Sequence, residues 1–312
     1  MAYRLDDPSS VPQEIQRVVI ECIDSARREL KRKGADQHEG IHEARKRFKE
    51  IRAVLRLVRN QLGDTYAMEN AWFRDVARSL SQVRDAQAML EAYDKLHIRF
   101  DAQMQAQGIP EFRRVLEQRL DAISTGDQDL SVKTGNLRRV LLQASTRVSA
   151  WTFPSAGFDT LASGLERIYG RGRRGYQSAF EQPTAEQFHE WRKRVKDQWY
   201  HTKLLKKVWS DHMSQRQAGL KHLSDLLGDD HDLAVLRLVV LQHENEFIRE
   251  EAMHQMLGLI GRRQAELRSH AEILGRRLFA DSPECFVRRM ESFWIAWIQE
   301  REYGLEGMVA SS

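Results

Sequence analysis

The feature that most constrains this chain is a helical pattern that occurs twice at a constant offset. Residues 41–60 read IHEARKRFKEIRAVLRLVRN, and residues 188–207 read FHEWRKRVKDQWYHTKLLKK. A shift of 147 positions aligns the two segments without a gap and places His42 on His189. The same shift still matches residues beyond the segments, and a constant offset over such a length indicates an internal duplication.

Each segment carries a cationic stripe directly beside an apolar one. In the first segment, the apolar positions recur every three or four residues, as in an amphipathic helix; they are Ile41, Ala44, Phe48, Ile51, Leu55 and Val58. One residue later runs the polar series His42, Arg45, Lys49, Arg52 and Arg56. One residue turns a helix by about 100°, so the cations flank the core. Surface helices usually mix charge signs on the face opposite the core instead.

The second segment repeats the cationic series with one departure, since Trp199 aligns with Arg52. Its series is His189, Arg192, Lys196, Trp199, Lys203 and Lys206. Its apolar stripe of Phe188, Trp191 and Val195 continues into the polar Gln198 and Thr202. Each segment has seven Lys or Arg and two acids, a net charge of +5. The whole chain is only +4, so its positive charge is concentrated on these two helices.

The spacing His-x-x-Arg-x-x-x-Lys, present in both segments, resembles the CHAD family, the conserved-histidine α-helical domain. Further along the chain, Leu80–Asp85 and Leu227–Asp232 are similar to the Leu-Gly-x-x-x-Asp turn of that family. The resemblance covers nearly the whole chain. It implies two helical bundles with pseudo-twofold symmetry, a basic groove or pore between them, and binding of inorganic polyphosphate.

The composition, with 30% charged and 41% hydrophobic residues, is typical of a soluble globular protein. Only six prolines and no credible period-two strands predict an all-α fold. We expect a single CHAD-like domain over residues 1–312. It would consist of two antiparallel helical bundle repeats, residues 11–151 and 158–302, each with about four or more helices, related by a pseudo-twofold axis. Residues 1–10 are predicted to form a tail.

Several local features are predicted from turn and capping signals. Residues 126–134 are polar and aperiodic and predict a loop, and 209–228 and 231–250 predict two separate helices. Capping boxes are predicted at Asp36 with Glu39 and at Thr184 with Gln187. The Arg- and Gly-rich stretch within 167–175 lacks the GxxxxGK[ST] pattern and a preceding strand, so it is interpreted as a basic helix end near the groove rather than a nucleotide P-loop.

The cationic residues are the candidates for binding polyphosphate. Lysines supply point charges, arginines supply forked donors, and the histidines would donate hydrogen bonds to phosphate oxygens. The predicted binding residues are His42, Arg45, Lys46, Lys49, Arg52, Arg56, Arg171, Arg174, His189, Arg192, Lys193, Lys196 and Lys203.

Two other roles are open to the histidines. His42 could be structural or a metal ligand, but the adjacent Glu43 points about 100° away and cannot easily share a metal with it. His231–Asp232 is similar to the His-Asp pair of metal phosphohydrolases. Because only the aspartate recurs at the aligned Asp85, Asp232 is predicted to cap a fourth helix. No metal or cofactor is expected.

The predicted function is therefore binding of inorganic polyphosphate without catalysis. One alternative is a metal-dependent polyphosphate or nucleotide phosphohydrolase, and another is a helical RNA-binding module. Nucleic acid is disfavoured because the first stripe contains no aromatic side chain on which bases could stack. Two distant cysteines, Cys22 and Cys285, are expected to be buried, which suits a reducing cytoplasm. No signal sequence or membrane span is expected. The protein is expected in the cytoplasm, in association with polyphosphate granules.

Overall fold

The structure, a computed structural model, describes residues 3–80, 82–105, 109, 112–124, 130–243 and 250–304. For residues 35, 82–86, 122–124 and 130–131 it describes the backbone alone. The helices are α1 (Val11–Glu29), α2 (Gln37–Leu57), α3 (Arg59–Leu62), α4 (Asp64–Arg78), α5 (Gln82–Arg99), α6 (Asp101–Gln105), α7 (Phe112–Ser124), α8 (Leu130–Ser149), α9 (Asp159–Glu181), α10 (Ala185–Leu204), α11 (Ser210–Gln242), α12 (Glu250–Leu278) and α13 (Pro283–Glu302). The predicted all-α fold is confirmed.

The helices pack in two groups that follow the order of the chain. In the first, α1 packs against α2 and α8, α2 also packs against α4, and α5 packs against α7. In the second, α10 packs against α9 and α11, α12 packs along α11, and α13 packs on α9. The groups meet where α2 contacts α9 and α10 and where α5 contacts α11, and they share one hydrophobic core. The internal repeat, its pseudo-twofold axis and the bounds of the repeats stay predictions.

The apolar stripe of α2 is buried as its periodicity predicts. Phe48, Ile51 and Leu55 have no accessible surface, and burial of one such side chain contributes roughly 1.5–3 kcal/mol. On α10 the buried face includes Gln198 and Thr202 as well as the apolar residues. The apolar stripe of each helix therefore fixes the direction in which its cationic stripe points.

The prediction of a tail is wrong for residues 3–10, which form a packed N-terminal strap. The backbone N–H of Leu5 donates to the carbonyl of Leu204 at 2.9 Å. The Tyr3 hydroxyl donates to the carbonyl of Glu50 at 3.2 Å. Both Tyr3 and Leu5 are buried. The strap thus contacts α2 and α10 together, which local sequence patterns do not reveal.

The two helices predicted at 209–228 and 231–250 are one continuous helix, α11, as far as Gln242. A glycine inside a helix costs roughly 1 kcal/mol, but Leu227 and Leu233 are buried on either side of Gly228 and hold the helix together. Asp232 therefore lies in the helix interior, and the prediction that it caps a helix is wrong. In the first half, α4 and α5 are separate, and the side chain of Asp85 lies outside the described residues.

Helix α9 is also continuous through its glycines, so the predicted basic helix end within 167–175 is wrong. A Cβ atom at Gly172 would lie 2.4 Å from the Phe279 ring, and one at Gly175 would lie 3.2 Å from Trp191. These glycines therefore admit aromatic side chains close to the α9 backbone. Their role is packing rather than phosphate binding.

Three smaller predictions have mixed outcomes. The Thr184 hydroxyl accepts the N–H of Gln187 at 3.2 Å, which is one of the two bonds of the predicted capping box, whereas the N–H of Thr184 donates to the carbonyl of Gln182. Asp36 makes no capping bond, because a 3-10 turn leads into α2. The predicted loop at 126–134 is wrong from Leu130 onward, where α8 begins; residues 125–129 lie outside the described residues. Cys22 is buried as predicted, but Cys285 is exposed.

Candidate anion-binding site

Helices α2 and α10 cross at the centre of the molecule through two reciprocal ion pairs. Arg56 Nη1 donates to Asp197 Oδ1 at 2.9 Å, and Lys203 Nζ donates to Glu50 Oε1 at 2.8 Å. The offset of 147 places Arg56 on Lys203 and Glu50 on Asp197, so the same contact is made in both directions. A hydrogen bond of 2.9 Å between His201 Nε2 and the carbonyl of Ala53 joins the helices between them.

The carboxylates at the crossing are buried and each receives a second cation from its own helix. Glu50 has no accessible surface and also accepts from Arg47; Asp197 accepts from Arg194 at 3.1 Å. Two predicted site residues, Arg56 and Lys203, are therefore directed at carboxylates of the opposite helix. Lys203 also lies 5.2 Å from the Tyr3 ring centre, beneath the strap.

The crossing brings Lys49 and Lys196 within electrostatic range of each other. Burial and, after it, the neighbouring cations Arg192 and Lys49 together lower the pKa of Lys196 to about 7. Lys49 itself is exposed. The lysine of the first segment thus disfavours the charged form of its equivalent in the second.

Arg192 lies against the backbone of α11 at Gly228. A Cβ atom at Gly228 would be 3.4 Å from Arg192 Nη2, so the glycine gives the guanidinium room. Burial lowers the pKa of Arg192, and the carboxylates of Asp232 and Asp229 oppose that shift. Burial in turn raises the pKa of Asp232. These acids facing the cationic stripe were missed by the sequence analysis, although their i, i+3 spacing beside Gly228 is visible in it.

His189 stacks on His231, with ring centres 4.2 Å apart. Burial and, after it, the neighbouring His189 and Arg192 together lower the pKa of His231 to about 4. Burial and the nearby Lys193 and Arg192 also lower the pKa of His189. Both imidazoles are therefore neutral at pH 7, and His189 Nδ1 is buried without a hydrogen-bond partner. Among the described residues, no group of three or more His, Cys, Asp or Glu could hold a metal ion.

The remaining residues of the first stripe lie along the solvent-facing side of α2. His42 is exposed and Arg45 is half-buried. Lys46 is paired with Glu43 on its own helix at 3.4 Å, and Lys193 is paired in the same way with Glu190.

A second cationic cluster surrounds Arg52, where α2 meets α4 and α9. Arg52 Nε donates to Asn70 Oδ1 at 3.2 Å, and burial followed by Arg56 lowers its pKa to about 10. Arg167 donates to the carbonyl of Arg56, and burial and Arg59 lower its pKa. Arg59 and Arg167 are not among the binding residues predicted from the sequence. Arg167 precedes Arg171 by four residues, a spacing that could have identified it.

Two predicted binding residues, Arg171 and Arg174, lie on α9. Arg171 is near the Arg52 cluster, and Arg174 is away from it. Arg171 is exposed as a whole. Its pKa is lowered by partial desolvation of the guanidinium and then by Arg194 of α10. Arg174 is exposed, with its guanidinium near Gly170. Of the two, only Arg171 is brought toward α10.

Beyond Lys196, the cationic stripe of α10 opens into a cleft of about 470 Å³ between α10, α11 and α5. The lining residues are Glu91, Lys95, Arg192, Lys196, Trp199, Tyr200, Lys221, Ser224, Asp225, Gly228, Asp229 and Asp232. The cleft thus places cations of α10 opposite acids of α11, whereas the Arg52 cluster holds mainly arginines. We call this cleft between α10, α11 and α5 the Trp199 cleft.

The family model for the CHAD domain matches residues 17–241. This range includes both cationic helices and every residue that lines the Trp199 cleft. None of the curated proteins compared with the chain matches it. In the described parts of the chain, no helix is long and apolar enough to cross a membrane.

Proposed function

Because the chain belongs to the CHAD family, we propose that it binds inorganic polyphosphate on the cationic surface around the α2–α10 crossing. The observation that carries the proposal is the α2–α10 crossing, whose ion pairs Arg56–Asp197 and Lys203–Glu50 join the two cationic segments. Across it, Lys49 is close enough to contribute to the lowered pKa of Lys196. A polyanion that spans both lysines would relieve their repulsion. The proposed residues are the predicted ones other than Arg174 and the paired Arg56 and Lys203, with Arg59 and Arg167 added.

The Arg52 cluster supports a phosphate polymer as the ligand. Arginine forks match phosphate oxygens, and the desolvation of Arg52 and Arg167 strengthens their attraction to an anion. RNA would need aromatic side chains among the cations on which its bases could stack. The aromatic ring described in this cluster, Tyr66, is already covered by the Arg59 guanidinium, which lies over it at 4.9 Å from the ring centre. We therefore favour polyphosphate over RNA, with competition between the two polymers as the discriminating measurement.

The proposal is of binding without hydrolysis, in the cytoplasm and at polyphosphate granules. Release of orthophosphate from polyphosphate in the presence of Mg²⁺ would instead favour the phosphohydrolase alternative.

The test is the affinity of long-chain polyphosphate for Arg52→Gln compared with Arg276→Gln. Arg276 is an exposed arginine on α12, so its substitution makes the same charge change on another surface. We expect at least about tenfold weaker binding for Arg52→Gln, roughly 1.4 kcal/mol, and wild-type binding for Arg276→Gln. Affinity should also fall by orders of magnitude between about 50 and 200 mM salt. Equal losses in both variants would contradict the proposed surface.

A further inference from the structure

The Trp199 cleft differs from the rest of the cationic surface in what it can bind. Four acids contribute to its lining beside the cations of α10. Lys95 Nζ donates to Asp229 Oδ1 at 2.7 Å, and Lys221 Nζ donates to both oxygens of Asp225 at 2.7 Å. These carboxylates offset the cations of the lining, so the cleft attracts a bare phosphate chain less than the Arg52 cluster does. A ligand that fits the cleft must offer hydrogen-bond donors as well as negative charge.

Trp199 adds an aromatic surface at the position where the first segment has Arg52. Its indole is half-buried, lies 4.8 Å from the Tyr200 ring and lines the cleft. The indole Nε1 is buried without a hydrogen-bond partner. An indole gives a phosphate chain no charge to pair with, but it gives a planar base a stacking surface.

The cations and the acids of the cleft lie on different helices. Arg192 and Lys196 extend from α10, and Gly228 lets the Arg192 guanidinium lie against α11. Asp225 and Asp229 extend from α11, four residues apart and thus on one face of the helix. Carboxylates in such positions accept hydrogen bonds from ribose hydroxyls, as they do in dinucleotide-binding folds. The volume of about 470 Å³ is within the usual range for small-molecule sites.

We propose that the Trp199 cleft binds a nucleoside di- or triphosphate. The base stacks on Trp199, the ribose hydroxyls donate to Asp225 or Asp229, and the phosphates are bound by Arg192 and Lys196. This inference goes beyond polyphosphate binding, although the two ligands share these two cations. A nucleotide in the cleft would therefore compete with the end of a polyphosphate chain that reaches Arg192.

The experiment compares the affinities of ATP and tripolyphosphate, each measured by calorimetry in the same buffer with EDTA. Both carry three phosphates, so a preference reports the base and the ribose. We expect wild-type protein to prefer ATP by at least about fivefold. Trp199→Phe should keep this preference, and Trp199→Arg, which restores the residue of the first segment, should reverse it. Trp209→Phe, at an exposed tryptophan outside the cleft, serves as the control and should bind as wild type.

A second comparison needs no variant and therefore does not depend on the folding of one. ATP should bind wild-type protein several-fold more tightly than its 2′,3′-dideoxy analogue, because the analogue cannot donate to the carboxylates. Equal affinity for ATP and tripolyphosphate, or for ATP and the dideoxy analogue, would overturn the assignment.

Long-chain polyphosphate is titrated in parallel to separate the two claims. Tight binding of the polymer without a preference for ATP would reject the nucleotide site and leave the proposed function standing. A preference for ATP without binding of the polymer would reject the proposed function and support the nucleotide site.

Discussion

Lys196 illustrates how one side chain can report the occupancy of the surface. Its pKa of about 7 follows from burial and from the cations Arg192 and Lys49, with Asp232 and Asp225 opposing them. Near neutral pH, the ligand-free protein therefore holds this lysine partly deprotonated. An anion beside it would favour the charged form and raise the pKa.

The first prediction is that polyphosphate binding weakens as the pH rises through about 7 and above. Deprotonation of Lys196 in the free protein removes a cation, so binding at pH 8 must take up a proton. Calorimetry in buffers of different ionisation enthalpy measures that uptake. Lys196→Arg keeps its charge throughout this range and should show a flatter pH dependence. An identical slope for the variant and the wild type would exclude Lys196 as the cause.

At the scale of elements, the α2–α10 crossing depends on a buried carboxylate with two cationic partners. The second prediction is that Glu50→Gln lowers the free energy of unfolding by about 3–5 kcal/mol, because Lys203 loses its buried anion and Arg47 keeps only its 3.4 Å pair with Glu43. Adding Lys203→Met should recover part of the loss. Urea denaturation measures both. Glu272→Gln, which breaks an exposed pair on α12, is the control and should cost less than about 1 kcal/mol.

Helix α9 approaches the end of α2 so closely that only glycine fits at position 164. A Cβ atom there would lie 1.7 Å from the carbonyl oxygen of Leu57. The third prediction is that Gly164→Ala destabilises the fold by about 3 kcal/mol or more, since backbone must move. Gly219→Ala on α11 should instead stabilise it by about 0.5–1 kcal/mol, because its Cβ would only reach ordinary contact with Leu278. Thermal unfolding of both variants gives the comparison, and a loss of similar size in both would contradict it.

What the sequence could predict was limited by what one helix reveals about itself. The buried stripe that contains Phe48 follows from periodicity within α2 and is confirmed. That Arg56 and Lys203 turn toward carboxylates of the opposite helix could not be predicted, because periodicity does not identify the partner helix. The continuity of α11 was missed for a related reason: burial of its neighbours outweighs the helix-breaking tendency of Gly228.

At the scale of the whole molecule, the approach of Lys49 and Lys196 predicts one site made by both segments. The fourth prediction compares Lys49→Glu, Lys196→Glu and the double variant. Each single change should weaken long-chain polyphosphate by about tenfold or more, because contacts at the second segment become intramolecular once the first is bound. Lys49→Glu should have the larger effect, since Trp199 makes the second segment the poorer track for phosphate.

Short oligophosphates are the informative comparison for these variants, because a short chain can occupy whichever segment is intact. Fluorescence titration with chains of different length measures the effect. Unchanged long-chain affinity in both single variants, with loss only in the double variant, would mean that the segments act as independent sites.

The reciprocal ion pairs at the crossing bear on how such a chain could arise. Each helix carries both an acid and a base of the contact, Glu50 with Arg56 on α2 and Asp197 with Lys203 on α10. Two identical copies of such a helix, facing each other across a twofold axis, would form the same two pairs, as in an isologous homodimer. The crossing therefore has the chemistry of a dimer interface enclosed in one polypeptide. Gene fusion of two such subunits would have replaced an association that depends on concentration with one that is permanent.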